Sequence, residues 1–220
     1  MANVLVVLSG CGVQDGSEIH EAVSTLIHLD RAGAAITMAA PDITQHHVHN
    51  HLTGEKTAGE ARNVLVESAR IARGNITSLA EIKGGDFDAI IFPGGFGAAL
   101  NLCNFAEKGA DCEVNPEVRR VILEARQANR VIGLICIAPA LGAAVLGADY
   151  KPSVTIGNDE GTAAQINRTG AKHVNTAPTE ICVDEANRIV STPAYMCAAS
   201  PAPVFEGIGK LVEKVLTMVQ

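Results

Sequence analysis

Cys136 stands at a point in the chain where its thiol could act as a nucleophile. The run Val131–Ile135 before it is apolar without alternation, which is typical of a strand covered on both faces. Small residues follow from Ala138 onward, so a helix is expected to open directly after the cysteine. A thiol at such a strand-to-helix turn lies over the positive end of the helix, which favours the thiolate. The alternative is a buried structural cysteine, because free cysteine is among the most buried residue types.

A thiolate that attacks a carbonyl needs a partner that moves protons, and carboxylates near the first predicted helix are the candidates. If Asp15 caps this helix, Glu18 falls at N3 and completes an arrangement like a capping box. The apolar stripe of the helix consists of Ile19, Ala22, Val23, Leu26 and Ile27. Glu21 lies away from that stripe and has two interpretations. It is either a solvated carboxylate or, if it is buried beside Cys136, a general acid/base with a raised pKa.

A glycine-rich loop, Pro93-Gly94-Gly95, follows another apolar run. Two successive glycines let the backbone present its amides closely to a ligand. The amides of Gly95 and Ile137 are therefore the candidates for an oxyanion site. Neither this loop nor the turn after the first strand has the G-x-G-x-x-G spacing of a dinucleotide site, and no cofactor is expected.

A short polar segment contains four histidines, His46, His47, His49 and His51. Imidazoles this close in sequence could bind a metal ion. However, nothing nearby supplies a convincing further ligand, and a zinc site normally draws on more than one segment. We therefore expect a solvated loop and no metal site.

Strand and helix patterns alternate along the chain. The predicted strands are residues 4–8, 34–40, 76–79, 88–92, 131–136, 153–156, 181–184 and 189–192, and the predicted helices are residues 17–32, 63–72, 116–128, 161–169 and 204–219, with one more after Cys136. Residues 101–113 show no regular pattern. This order predicts one domain over residues 1–220, with a doubly wound, mostly parallel, flavodoxin-like α/β sheet and helices on both faces. Ligands of such sheets bind at the carboxyl ends of the strands, where loops 10–18 and 93–101 should meet the Cys136 turn.

The composition argues against several classes of function. The chain of 220 residues carries a formal net charge of −7, so nucleic acid is not an expected partner. No run approaches the roughly 18 consecutive apolar residues of a membrane helix, so no membrane span is expected. The N-terminus lacks the basic region of a signal peptide, and the six cysteines include no C-x-x-C pair. These features predict reduced thiols and a cytoplasmic location.

Several segments together resemble the ThiJ/PfpI superfamily, which has the class I glutamine-amidotransferase-like fold. The matching segments are Leu8-Ser9-Gly10-Cys11-Gly12-Val13, Asp15-Gly16-Ser17-Glu18-Ile19-His20-Glu21-Ala22, His51-Leu52-Thr53-Gly54-Glu55, Pro93-Gly94-Gly95, Cys136-Ile137-Ala138-Pro139-Ala140 and Thr192-Pro193-Ala194-Tyr195-Met196. The likeness covers nearly the whole chain. It looks like the ElbB-type branch, the isoprenoid-biosynthesis-associated, glyoxalase-like proteins.

The resemblance implies roles for individual residues. In the superfamily a glutamate on the first helix hydrogen-bonds the nucleophilic cysteine, and these positions fall on Glu21 and Cys136. The oxyanion amides fall on Gly95 and Ile137. Many members also carry a histidine directly after the cysteine or some way beyond it, but this chain has Ile137 in the first place and no histidine around residues 156–159. It also lacks the His-x-Glu pair of amidotransferases proper, so neither glutamine hydrolysis nor Cys-His protease activity is expected.

The activity implied by the resemblance is that of a cofactor-independent glyoxalase. Such an enzyme converts glyoxal or methylglyoxal and water to a 2-hydroxy acid, here with Cys136 as nucleophile and Glu21 as acid/base. Superfamily members commonly form homodimers, and a homodimer is expected here. Two alternatives remain open: Cys136 is a redox sensor, or the chain is a partner-binding protein of isoprenoid metabolism with weak or no catalysis.

Overall fold

A computed structural model describes residues 1–197 and 200–219 of the chain. The strands are β1 (Asn3–Val7), β2 (Ala35–Ala40), β3 (His49–Asn50), β4 (Glu55–Lys56), β5 (Thr77–Ser78), β6 (Ala89–Phe92), β7 (Val131–Ile135), β8 (Ser153–Val154), β9 (Lys172–His173), β10 (Cys182–Asp184) and β11 (Ile189–Thr192). The helices are α1 (Ile19–Arg31), α2 (Val64–Ile71), α3 (Phe96–Leu100), α4 (Phe105–Lys108), α5 (Pro116–Gln127), α6 (Ala138–Tyr150), α7 (Glu160–Arg168) and α8 (Pro201–Val219).

Seven strands form the central sheet in the order β10-β11-β7-β6-β1-β2-β5. Each neighbouring pair is parallel except the edge pair of β10 and β11. From β1 the chain first moves outward to β2 and then returns to β6 on the other side of β1. The loops after β1, β6 and β7 therefore meet at the carboxyl edge beside this reversal. The predicted doubly wound, mostly parallel α/β fold is confirmed.

Apolar strands hold the sheet between two layers of helices. In β1, Val4 and Val6 belong to a buried cluster shared with α1 and α8, whereas Leu5 and Val7 belong to a second cluster shared with α5 and α6. Every residue of β7 is buried as well. Because both faces of these strands are covered, their sequences lack the apolar-polar alternation of a half-exposed sheet.

The first helix begins at Ile19, later than predicted, and Glu18 itself is the N-cap. The Glu18 carboxylate accepts a hydrogen bond from the Glu21 amide at 2.7 Å. The side chain of Asp15, the expected cap, instead accepts a hydrogen bond from the His49 amide at 2.8 Å. The predicted capping box is therefore wrong, because the Asp15 carboxylate binds an amide in a loop distant in sequence instead of capping the helix.

The predicted apolar stripe of α1 is right for Ala22, which is buried, and Leu26, which packs against the core, and wrong for its other three residues. Ile19, Val23 and Ile27 are 38–44% exposed. The buried residues of α1 are Glu21, Ala22, Ser24, Thr25 and Leu29. Thr25 can be buried because its hydroxyl donates to the Glu21 carbonyl at 2.8 Å. Small side chains let this face pack closely on its neighbours, and the same rotation turns Glu21 inward.

Two further predictions change at the periphery of the sheet. Residues 101–113 are not irregular throughout, because they contain α4, whose Phe105 is buried in the core. The predicted strand 153–156 shrinks to β8, which pairs with β9 outside the central sheet. It ends early because the Thr155 amide donates to the Ser191 hydroxyl at 3.0 Å instead of to a strand. No helix in the described ranges is long and apolar enough to cross a membrane.

Candidate active site

A sharp turn after β7 carries Cys136 to the carboxyl edge of the sheet. The φ of Cys136 is +63°, in the left-handed region, and α6 begins directly beyond Ile137. The Cys136 amide donates to the Thr192 carbonyl, at the end of β11, at 2.9 Å. A non-glycine residue in this region costs about 1–3 kcal/mol, and such strain is typical of a nucleophile elbow. The cysteine is 7% exposed and lines a cavity.

Glu21 lies beside this thiol and is completely buried. Its Oε2 accepts a hydrogen bond from the Gly94 amide at 3.0 Å, and its Oε1 accepts one from the Tyr195 amide at 3.4 Å. The carboxyl group also forms a hydrogen bond with the Cys136 thiol. The structure therefore agrees with the second interpretation of Glu21, a carboxyl group buried beside Cys136, and not with a solvated carboxylate.

Burial controls the protonation of this pair. The loss of water around Glu21 raises its pKa to about 8, although the hydrogen bond with Cys136 acts in the opposite direction. Burial, and then the Glu21 carboxylate, raise the pKa of the Cys136 thiol well above its usual range. The expected resting thiolate is therefore wrong. The amides near the sulfur lower its pKa, but desolvation outweighs them.

Two backbone amides point at the sulfur of Cys136. They belong to Gly95 and Ile137, and both lower the pKa of the thiol. The backbone at Gly94 lies directly against Cys136 and Glu21. Only glycine fits there, because a Cβ would lie 2.4 Å from the Cys136 Cβ and 2.8 Å from Glu21 Oε2. The fold thus brings together the four residues that the sequence offered for the site.

A cavity of about 760 Å³ extends from Cys136. Its lining includes the apolar side chains of Val13, Phe96, Phe105 and Met196. Lys108 and Arg168 also line it, but each is paired with a carboxylate, at 3.0 and 3.2 Å. The volume lies in the range of about 300–1,000 Å³ that small-molecule sites occupy. These walls suit an uncharged ligand with an apolar part better than a multiply charged anion.

Sequence reasoning assigned no role to Tyr195 or His20. Tyr195 lies in the turn after β11 and lines the cavity. Its hydroxyl oxygen is 2.6 Å from Nδ1 of His20. A signal for Tyr195 exists in the sequence, because its turn follows a strand that ends at the same sheet edge as Cys136. His20 gives no comparable signal beyond its place next to Glu21.

The histidine-rich segment packs against the loop that follows β1. His51 Nε2 accepts a hydrogen bond from the Gln14 amide at 3.2 Å, and His47 Nε2 lies 3.2 Å from the Gln14 carbonyl. His47 and His49 are half-buried, so the prediction of a solvated loop is right only for His46 and His51. Within residues 1–197 and 200–219, no group of three or more histidines, cysteines and carboxylates is arranged to hold a metal ion.

Solved structures define the class to which this fold belongs. An isoprenoid biosynthesis protein with an amidotransferase-like domain from Ehrlichia chaffeensis superimposes with a TM-score of 0.94 at 37% identity, and all of both chains is covered. Drosophila melanogaster DJ-1beta shares the fold, with a TM-score of 0.59 and 18% identity over 100% of this chain and 94% of that one. The fold is that of the class I glutamine amidotransferase-like and DJ-1/ThiJ/PfpI proteins.

Curated relatives narrow this class to a family, although no family model matches the chain. The human "Glutamine amidotransferase-like class 1 domain-containing protein 3, mitochondrial" is 50% identical over 226 residues, which covers 99% of this chain and 83% of the relative. The Danio rerio "ES1 protein, mitochondrial" is 36% identical over 236 residues, which covers 98% of this chain and 86% of the relative. The chain therefore belongs to the glutamine amidotransferase-like ES1 family within the ThiJ/PfpI superfamily.

The same relatives correct the predicted location. The human, rat and zebrafish proteins are all named mitochondrial, which contradicts a cytoplasmic location. The prediction rested partly on scattered cysteines without a C-x-x-C pair. Reduced thiols argue only against an oxidising secretory compartment, so they do not distinguish one reducing compartment from another.

Proposed function

We propose that the protein is a cofactor-independent glyoxalase that converts glyoxal or methylglyoxal and water to a 2-hydroxy acid, and that it works as a homodimer. One observation carries the proposal: the Cys136 thiol contacts a completely buried Glu21 whose pKa is about 8, beside a cavity. A general base is most effective when its pKa lies near the working pH. The pair therefore has the acid–base properties that the reaction needs.

The first step joins Cys136 to the aldehyde. In the molecules in which Glu21 is ionised, its carboxylate takes the thiol proton as the sulfur attacks C1. The Gly95 and Ile137 amides, which lie near the sulfur, then donate to the oxygen on C1. Glu21 returns the proton to this oxygen, which leaves a neutral hemithioacetal and a free carboxylate.

The second step moves a proton between the two carbons. The Glu21 carboxylate removes the proton from C1, and the charge passes to the oxygen on C2 in an enediolate. Glu21 then delivers a proton to C2, the oxygen on C2 gains a proton and the hydroxyl on C1 loses one, which gives a 2-hydroxyacyl thioester on Cys136. Water hydrolyses the thioester, releases the 2-hydroxy acid and restores the thiol. C1 is oxidised as C2 is reduced, so no external oxidant takes part.

The properties of Cys136 support a nucleophile with an adjacent base more than a redox sensor. A sensor cysteine reacts as an accessible thiolate. Cys136 is 7% exposed, and burial raises the pKa of its thiol. A nucleophile needs the thiolate only at the moment of attack, when Glu21 can accept the proton.

Turnover of methylglyoxal in D2O tests this function. We expect lactate to form without glutathione and in the presence of EDTA, with deuterium on C2, because protonated Glu21 can exchange with solvent before it returns the proton. Proton NMR of the product measures both the yield and the isotope. Lactate incubated with the protein in D2O controls for later exchange. Deuterium on C2 would support the enediol route, and no lactate at all would overturn the glyoxalase function.

A further inference from the structure

Tyr195 and His20 form a hydrogen-bonded pair that the steps above leave unused. Tyr195 Oη and His20 Nδ1 are 2.6 Å apart, and the centres of the two rings are 5.8 Å apart. Tyr195 lines the same cavity as Cys136. The His20 side chain is 58% exposed, so it meets solvent as well as the tyrosine hydroxyl. The pair therefore connects the cavity with bulk water.

The proton shift requires an acid that the Cys136–Glu21 pair does not supply. When Glu21 takes the proton from C1, negative charge develops on the oxygen of C2. Glu21 must deliver its proton to carbon C2, so it does not serve that oxygen at the same time. The Gly95 and Ile137 amides hold the oxygen on C1, and an amide stabilises charge without releasing a proton. A second acid facing the cavity would complete the site.

We propose that Tyr195 is the catalytic acid for the oxygen on C2 and that His20 is the positioning residue that renews its proton. This inference rests on the proposed glyoxalase function. The Tyr195 hydroxyl gives its proton to the enediolate oxygen while the Nδ1–H of His20 gives one to Tyr195 Oη. His20 then takes up a proton from solvent. The hydroxyl on C1 releases one proton to solvent as the thioester forms, so the pair ends each turnover as it began.

The turn after β11 fixes Tyr195 relative to the base. Its amide donates to Glu21 Oε1 at 3.4 Å, so one short segment holds both the acid and the base. Ala194, just before it, has a φ of +44°, a strained value of the kind that clusters at functional sites. Burial, and then Glu18 and Glu21, raise the pKa of the Tyr195 hydroxyl, so it keeps the proton that it has to donate. Glu18 Oε1 also lies 4.0 Å from Nδ1 of His20.

A double-mutant cycle with Tyr195→Phe and His20→Gln tests the pair. Y195F removes only the hydroxyl and keeps the amide that holds Glu21. We expect Y195F to lower kcat for methylglyoxal about 10²-fold with KM nearly unchanged, and H20Q to lower kcat about tenfold. The double variant should lose no more than Y195F, because His20 acts only through the hydroxyl. Tyr150→Phe, at the end of α6 where the ring stacks on Arg126, is the matched control and should keep full activity.

The possible outcomes separate this inference from the function on which it rests. Full kcat in Y195F, or losses that add in the double variant, would overturn the role of the pair and leave the glyoxalase in place. A lower Tm in Y195F with unchanged kcat per folded molecule would assign the hydroxyl to stability and would also overturn it. A wild-type protein without turnover would overturn both proposals.

Discussion

Glu21→Gln is expected to lower kcat/KM for methylglyoxal by at least about 10²-fold while it raises the free energy of unfolding at pH 8. Glutamine has nearly the same shape, and its side-chain oxygen can still accept from the Gly94 amide. It cannot take a proton from Cys136 or from the substrate. The wild-type kcat/KM should rise with pH and level off near pH 8, the pKa of Glu21, because the base must be ionised, and E21Q should lack this rise.

The gain in stability follows from the pKa of Glu21, which is about 8 in the folded protein against a usual value of 4.5. Between these values the unfolded chain releases a proton that the folded chain keeps. The free energy of unfolding therefore falls with rising pH, by about 1.4 kcal/mol per pH unit and about 5 kcal/mol in all. This stability is fully present below about pH 4.5 and is lost as the pH rises through about 8. Glutamine does not titrate, so the free energy of unfolding of E21Q does not undergo this fall.

Urea unfolding of both proteins at pH 5 and pH 8 measures this effect. We expect the advantage of E21Q to be larger at pH 8 by about 3–4 kcal/mol. Glu206→Gln removes an exposed carboxylate that pairs with Lys210 at 2.8 Å, and this control should show no comparable change. An advantage of E21Q that is equal at the two pH values would show that Glu21 is not held protonated in the folded protein.

Cys136→Ala is expected to lower kcat/KM for methylglyoxal by at least about 10³-fold, because no hemithioacetal can form without the sulfur. The substitution removes one buried atom, which costs about 1 kcal/mol, so the variant should still fold. Cys182→Ala is the matched control: Cys182 is 8% exposed against 7% for Cys136, and it lies on the edge strand β10. Lactate formation by the two variants and the wild type is compared under the same conditions. Equal loss in both variants, or retention in C136A, would exclude Cys136 as the nucleophile.

The sheet and the loops at its carboxyl edge could be predicted because their signals are local. Runs such as β7 are apolar over their whole length; Cys136 follows such a run directly, and Gly94 follows another after one proline. Parallel strands end at one edge, so the convergence of these loops follows from the order of the elements. Short segments of the sequence are therefore enough to predict where in the fold the site lies.

The state of the site could not be predicted, because it depends on contacts between distant segments. Glu21 binds the amides of Gly94 and Tyr195, which lie 73 and 174 residues away in the chain. Helical periodicity placed Glu21 outside the buried face, whereas the packing of small residues turned it inward. The helix start suggested a thiolate at Cys136, but the extent of burial decides its pKa and appears only in the folded chain.

The formation of a covalent intermediate on Cys136 is the step on which the proposed chemistry depends. The measurement is peptide mass spectrometry of protein quenched in acid during turnover of methylglyoxal. We expect a 2-hydroxyacyl thioester on the peptide that contains Cys136 and no such group on the other five of the six cysteines. Lactate production while Cys136 stays unmodified, with the group on another cysteine or on none, would contradict the Cys136–Glu21 mechanism.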